Sequence, residues 1–229
     1  MSLSGTTDFN LDLAEILDEA AERCGMEGVR SGYQYKTARR SLALLLLDFA
    51  NKGINLWTVQ EGTIPLVPGT TTYNLPADTV DLIEHVIRTG SGTTQSDLSI
   101  SRISVSTYAT IPSKTNTGRP VQCYINRQSP IPTITLWPVP DNSQTYTLVY
   151  WRLRRLQDAG TGANTQDVPF RFLPALIAGT AYHMAMKTPE GLARLPMLKA
   201  QYDETLADAM SEDRDKSSVR FVPRVGRIS

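Results

Sequence analysis

The sequence predicts an α+β protein in which helices from both ends of the chain form one bundle and an antiparallel β domain is inserted between them. Apolar residues recur at spacings of three and four near both termini. The middle of the chain instead contains short extended runs separated by Gly and Pro turns. Neither pair of amphipathic helices can bury its apolar face alone, so we expect the two pairs to pack together. The predicted domains are residues 1–54 and 158–213 for the bundle, 55–157 for the β domain, and 214–229 for an extended basic C-terminal arm.

The first two helices are predicted from their stripes and end signals. The first should begin near Asn10 as N-cap and end at Gly25. Its apolar stripe contains Leu13, Ile16, Leu17, Ala20 and Cys24. The second runs from about Tyr35 to Asn51 and is apolar on most sides, which predicts a buried position in the centre of the helical layer.

The β domain begins with "TIPLVPGTTTYNLP", two extended runs around the turn at Pro68 and Gly69. The strongest strand signal is "TVDLIEHVIR", where simple alternation puts Asp81, Ile83, His85 and Ile87 on one face. We then expect a hairpin in "GSGTTQSDLSISRI", a short helix in "SVSTYATIP", and strands in "VQCYIN", "TITLWPVP" and "YTLVYWRLRRL". Runs this short favour a small barrel or a sandwich.

The C-terminal helices follow a link, "QDAGTGANTQ", that is expected to be flexible. Asp167 and Pro169 mark the start of the next helix. The two predicted stripes contain Leu173, Leu176, Ile177, Thr180, Ala181 and Met184, and then Leu195, Leu198, Tyr202, Leu206 and Ala209. The last stretch, "SSVRFVPRVGRIS", has no helical stripe, so we predict that it is an extended arm.

The composition indicates a globular protein, since 41% of the residues are hydrophobic. The longest apolar run, "LALLLL", is far shorter than the roughly 20 residues that cross a bilayer, and the N-terminus lacks the pattern of a secretory signal. We therefore expect no membrane association. Cys24 and Cys123 lie far apart in the sequence, which gives no support to a disulfide framework or a thiolate metal site and favours a reducing compartment.

The formal net charge is zero, which argues against a surface that coats nucleic acid. The charges are nevertheless uneven along the chain. Residues 1–22 contain six acidic and no basic side chains. Residues 214–229 contain five basic side chains and one acidic side chain, Asp215; the basic residues are Arg214, Lys216, Arg220, Arg224 and Arg227. This asymmetry favours either head-to-tail contact between copies or simply two solvated termini.

No motif of catalysis stands out. Four residues of strand place His85 and Asp81 roughly 13 Å apart, too far for a hydrogen-bonded pair. His183 lies in a predicted helix among apolar residues. The sequence contains no phosphate-binding loop and no Gly-x-Ser-x-Gly elbow. We expect no catalytic residue, cofactor or metal, although the fold could still assemble a carboxylate pair, as in a peptidoglycan hydrolase.

The segment "YWRLRRL" carries the clearest candidate surface. Alternation places Tyr150, Arg152 and Arg154 on one face and Trp151 on the other. Trp, Tyr and Arg are enriched where interfaces concentrate their binding energy, and the same side chains suit phosphate contact and base stacking. Three interpretations of this segment are therefore open: a solvated outer strand, a protein contact surface, and a nucleic-acid contact. The candidate contact residues are Trp137, Tyr150, Trp151, Arg152 and Arg154. A DNA-binding module that uses the C-terminal arm is a further alternative.

The order of the sequence blocks resembles the head-to-tail adaptor proteins of tailed bacteriophages, similar to the connector or tail tubular proteins of short-tailed phages. The blocks are "LLLLDFANKGINLWTVQEGTIPLVPGTTTYNLPADTVDLIEHVIRTG", "ISRISVSTYATIPSKTNTGRPVQCYINRQ", "ITLWPVPDNSQTYTLVYWRLRR" and "VPFRFLPALIAGTAYHMAMK". The resemblance extends from about Leu11 to Arg227.

This resemblance implies a dodecameric ring that lies between the portal and a tail nozzle or tube protein in the virion neck. Genomic DNA would pass through the ring without sequence-specific binding, and assembly would take place in the host cytoplasm. By analogy, the C-terminal arm would reach the portal or a neighbouring copy. Its candidate contact residues are Arg220, Phe221, Arg224 and Arg227.

Overall fold

The structure, a computed structural model, describes residue 5 and residues 11–27, 31–53 and 56–213. The chain divides into two compact units. The helical unit consists of Met1–Leu46 and Ala159–Ser229, and the β unit consists of Leu47–Asp158. Within the described ranges, no helix combines the length and apolar character needed to cross a membrane.

Four long helices are present: α1 (Leu13–Cys24), α2 (Gly32–Asn51), α4 (Leu173–Ala185) and α5 (Leu195–Glu212). The first begins two residues later than expected, because Asp12 and not Asn10 is its N-cap. The Asp12 carboxylate accepts a hydrogen bond from the Glu15 N–H at 2.9 Å, and the Glu15 carboxylate accepts one from the Asp12 N–H at 3.0 Å. This reciprocal capping box satisfies two donors at the helix start.

The helical unit is organised around α4, which contacts both α1 and α5. Gly179 marks the closest approach. A Cβ added there would come within 2.7 Å of a Leu45 methyl group on α2 and 2.8 Å of the Tyr202 ring on α5. The absent side chain therefore lets three helices meet, and the apolar stripes predicted for α1, α4 and α5 are almost entirely buried.

The predicted flexible link is instead held against the start of α1. The Leu13 N–H donates to the Asn164 carbonyl at 3.0 Å, and the Ala14 N–H donates to the Gly162 carbonyl at 3.2 Å. Asp12 and Thr165 form an isolated β-bridge. These contacts give partners to N–H groups that the first turn of a helix cannot satisfy internally.

The β unit contains two four-stranded sheets and a two-stranded one, with a short helix, α3 (Val105–Ala109), between strands. The first sheet has the order β1-β10-β3-β4 and comprises Val59–Pro65, Tyr146–Arg154, Thr79–Thr89 and Ser96–Ser99. The second has the order β2-β8-β7-β5 and comprises Thr72–Asn74, Thr133–Trp137, Gln122–Asn126 and Ser101–Arg102. The smallest pairs β6 (Thr117–Gly118) with β9 (Val139–Pro140).

The pairing is antiparallel except for β5 with β7 and β6 with β9, which are parallel. Both four-stranded sheets are open, so the described part of the chain contains no closed barrel. Side chains from the two sheets share one apolar core, to which β3 and β10 contribute Ile87 and Leu148 and β7 and β8 contribute Cys123 and Ile134. Of the two predicted alternatives, the barrel is therefore wrong.

Candidate assembly interface

Tyr150 lies inside the β unit. Its side chain belongs to the shared core and is only 4% exposed, and burial raises the pKa of its phenol. The ring packs against Gly62 on β1, where an added Cβ would come within 2.5 Å of a ring atom. A residue this enclosed supports the sheet from within, so its role in a contact surface would be indirect.

Arg152 is held by three groups of its own unit. One guanidinium nitrogen donates to the Asp78 carboxylate at 2.5 Å and to the Thr79 hydroxyl at 3.1 Å. The other donates to the Gln60 amide oxygen at 2.9 Å. The side chain is 12% exposed, and its hydrogen bond lowers the pKa of the Asp78 carboxyl. Arg152 therefore ties β1 to the start of β3.

Trp151 and Arg154 remain partly accessible. Trp151 is half-buried on β10 and pairs across the sheet with Glu61 on β1 and Glu84 on β3, both of which are exposed. Arg154, also half-buried, donates to the Arg155 carbonyl at 3.1 Å. An aromatic side chain flanked by carboxylates suits contact with a basic or amphipathic partner.

Trp137 lies on β8, in the other four-stranded sheet from β10. Its indole N–H donates to the Ser113 carbonyl at 3.0 Å, and its peptide bond to Pro138 is cis. The side chain is half-buried. The five residues predicted as one contact set are thus distributed over two sheets and the core between them, and their part in assembly stays a prediction.

The alternation predicted for β3 is wrong because the strand pairs irregularly with β10. Trp151 pairs with Glu84, but Arg152 pairs with Leu82, which leaves Ile83 as an extra residue; Val80 is extra in the same way. Leu82 is buried, whereas Ile83 is 47% and Val80 46% exposed. Two apolar side chains therefore reach the surface near the end of β10. Simple alternation did not predict this, because an extra residue in a strand changes which of the following side chains face inward.

A second accessible region is a cleft of about 260 Å³ in the helical unit, between the ends of α1 and α4 and the start of α2. Apolar and basic side chains line it together. The amino group of Lys187 donates to the Ser41 hydroxyl at 2.8 Å, and burial, with a smaller contribution from Arg40, lowers its pKa. Tyr33 at the rim is 80% exposed. None of these residues was predicted to line a site, because Ala38 and Met184 belong to apolar stripes typical of ordinary buried helices.

The titratable groups considered for catalysis are separated or enclosed. His85 is buried at 7% exposure in the β unit, and His183 packs beside Tyr182 on α4. Burial raises the pKa of the Cys24 thiol to about 11 and that of Cys123 to about 12, which leaves both as thiols at neutral pH. Asp81 binds the guanidinium groups of Arg102 and Arg127.

The described residues contain no group of three or more His, Cys, Asp or Glu side chains that could hold a metal ion. The candidate arm residues Arg220, Phe221, Arg224 and Arg227 lie outside the described residues.

The family model described as SU10 adaptor protein matches residues 11–224, which is most of the chain. No curated protein matches it.

Proposed function

Because the chain belongs to the SU10 adaptor protein family, we propose that its copies form a dodecameric ring between the portal and the tail of a short-tailed bacteriophage. The family match carries this proposal, since it extends through the helices at both ends and the β unit between them. As a phage adaptor, the protein is a structural component of the virion neck.

The two units have different roles in this proposal. The helices of the helical unit are arranged around the ring, and the β unit faces the nozzle or tail tube protein. Genomic DNA crosses the central channel without sequence-specific contact, which is compatible with a formal net charge of zero. The ring assembles on the portal in the host cytoplasm.

The contact set that we propose for the β unit combines the accessible part of the sequence prediction with the residues that the sheet irregularities expose. It contains Trp137, Trp151, Arg154, Val80 and Ile83. Tyr150 and Arg152 act beneath this surface, since the first packs in the core and the second ties β1 to β3. The arm residues Arg220, Phe221, Arg224 and Arg227 attach a copy to its neighbour or to the portal.

Native mass spectrometry of the purified chain, alone and after mixing with a portal ring from the same phage, tests the proposal. We expect a complex that carries as many copies of the chain as the portal has subunits. Well-folded chain that fails to bind its portal at low and at physiological salt would contradict the adaptor assignment.

Replacing Trp151 by Ala tests the contact set, with Tyr108→Ala as a control from a different part of the β unit. Trp151→Ala should reduce attachment of the tail protein to preformed rings while leaving portal binding intact, because large aromatic side chains concentrate interface energy. Equal attachment by both variants would remove Trp151 from the set.

A further inference from the structure

The first sheet of the β unit ends in an open edge. The seven residues of β1 pair with β10 on one side, and among the described strands none pairs with the other side. The remaining outer strands of the two four-stranded sheets have four, three and two residues. Since an unpaired edge offers a row of backbone donors and acceptors, β1 is the most extended template for an added strand.

The apolar core that the two four-stranded sheets share is only partly covered beside β1. Ile64 on β1 and Tyr73 on β2 pack against the core but are only partly buried. The two strands are joined by a short turn, where the Tyr73 hydroxyl accepts a hydrogen bond from the Val67 N–H at 2.9 Å and donates to the Val67 carbonyl at 3.2 Å. An added strand with apolar side chains on its inner face would cover Ile64 and Tyr73.

The C-terminal arm has the pattern of such a strand. In "SSVRFVP", alternation puts Val219 and Phe221 on one face and Arg220 on the other. Pro223 follows the run and ends it, since proline cannot donate to a ladder of backbone hydrogen bonds.

The charges of the arm and of β1, and the length of the arm, also favour pairing between the arm and the open edge of β1. The exposed Glu61 carboxylate lies on the outer face of β1, opposite the face of Gly62 and Ile64, which pair with the core residues Tyr150 and Leu148. Arg220 would meet Glu61 when Phe221 turns inward. The arm starts after Asp213, whose carboxylate is paired with Arg171. Its sixteen residues could extend about 50 Å, enough to reach an adjacent molecule.

We propose that residues 217–222 of one copy add as a strand to the open edge of β1 in the neighbouring copy. Val219 and Phe221 complete the core beside Ile64, and Arg220 pairs with Glu61. This inference rests on the proposed ring, because it supplies a contact that links successive copies.

The test uses two full-length variants whose own arm and edge no longer match, Arg220→Glu and Glu61→Arg. Each is titrated with a labelled peptide of residues 214–229, in its natural sequence and with Arg220→Glu. The Arg220→Glu chain should prefer the natural peptide and the Glu61→Arg chain the altered one, each by up to about fivefold, since facing charges stabilise or destabilise a strand pair. Glu84→Arg, introduced into the Arg220→Glu chain, is the matched control on the same face and should leave the preference unchanged.

Hydrogen exchange then locates the bound peptide. We expect new protection at residues 59–65, where backbone pairing would form. Peptide binding with protection elsewhere, or with no reversal of preference between the two variants, would overturn the inference.

Mixing the two full-length variants distinguishes neighbouring copies from docking within one chain. The Glu61→Arg chain has a natural arm and the Arg220→Glu chain a natural edge, so native mass spectrometry should show a mixed complex that neither variant forms alone. A wild-type chain that stays monomeric at high concentration with residues 59–65 protected would instead place the arm on its own β unit and overturn the proposal. None of these measurements needs the portal, so a chain that binds its portal but not the peptide refutes this inference and leaves the adaptor function standing.

Discussion

His85 is a buried polar residue whose two ring nitrogens lack ordinary hydrogen bonds with the described residues. It lies in the β unit, where the nearby Ile100 backbone slightly favours the charged form. Burial is the largest influence and lowers the pKa of the imidazole below its ordinary value of 6.5. The folded protein therefore contains the neutral ring at pH 7.

The free energy of unfolding should fall as the pH drops below about 6.5. In that range the unfolded chain binds a proton at His85 and the folded chain does not, so protonation favours the unfolded state until the pH reaches the lowered pKa of the folded state. Urea denaturation of wild type and His85→Leu between pH 8 and pH 5 measures this. The variant should be near neutral or stabilising at pH 8 and should lose less stability on acidification.

His183, which is partly exposed on α4, provides the control. Replacing it by Gln should leave most of the pH dependence in place. If the wild type and His85→Leu lost equal stability between pH 8 and pH 5, the lowered pKa would be contradicted.

Arg152 should contribute to the stability of the β unit and not directly to contact with a partner protein. Arg152→Met removes the donors to Asp78, Thr79 and Gln60 while keeping most of the side-chain length. We expect a loss of about 1–2 kcal/mol at pH 7, because Asp78 is half-exposed and keeps part of its hydration. The loss should shrink as the pH falls through the lowered pKa of Asp78, since the neutral carboxyl no longer attracts the guanidinium.

Arg154→Met on the same strand is the comparison. It should cost less, because the Arg154 guanidinium donates to the carbonyl of the adjacent Arg155, whereas Arg152 links β1 to the start of β3. Equal losses for the two variants, or a loss for Arg152→Met that persists unchanged at pH 3, would contradict the assignment. A charge reversal at Arg152 would therefore disturb the sheet itself, which makes Trp151 and Arg154 the cleaner positions for testing assembly.

At the scale of the element, β3 gives the sharpest contrast between two adjacent apolar residues. Strict alternation groups Ile83 with the core residue Ile87, whereas the irregular pairing buries Leu82 and exposes Ile83. Leu82→Ala should cost about 2–5 kcal/mol because it opens a cavity. Ile83→Ala should change the free energy of unfolding by no more than about 0.5 kcal/mol.

Chemical denaturation followed by tryptophan fluorescence measures both variants. A larger loss for Ile83→Ala than for Leu82→Ala would restore the regular strand. If the order is as expected, Ile83→Ser becomes a fold-neutral variant with which to examine ring assembly.

Strand β3 also shows which structural features could not be predicted from the sequence. The stripes of α1, α4 and α5 were predicted residue by residue, because helical spacing follows from the geometry of one element and needs no knowledge of its neighbours. The exposure of Ile83 depends on how β3 pairs with β10, and the enclosure of Arg152 depends on Gln60 and Asp78 from other segments. Such facts arise only from tertiary pairing, so the residue types of the contact region were predictable but their accessibility was not.

At the scale of the whole molecule, the two units have separate apolar cores, but the chain passes from one to the other within α2. The positions of the tryptophans make the units distinguishable in one experiment. Trp57, Trp137 and Trp151 all lie in Leu47–Asp158, so tryptophan fluorescence reports on the β unit. Circular dichroism at 222 nm reports mainly on the long helices, most of whose residues belong to the helical unit.

Gly179→Ala should separate the two signals. The added Cβ would approach Leu45 and Tyr202 too closely, and overpacking of this kind costs about 1–3 kcal/mol. We expect the circular dichroism transition to move to lower urea while the fluorescence transition stays within error of the wild type. Gly118→Ala, where a Cβ would lie 3.7 Å from Pro138, is the control that should move neither. Equal shifts of both signals in Gly179→Ala would mean that α2 couples the units into one cooperative transition.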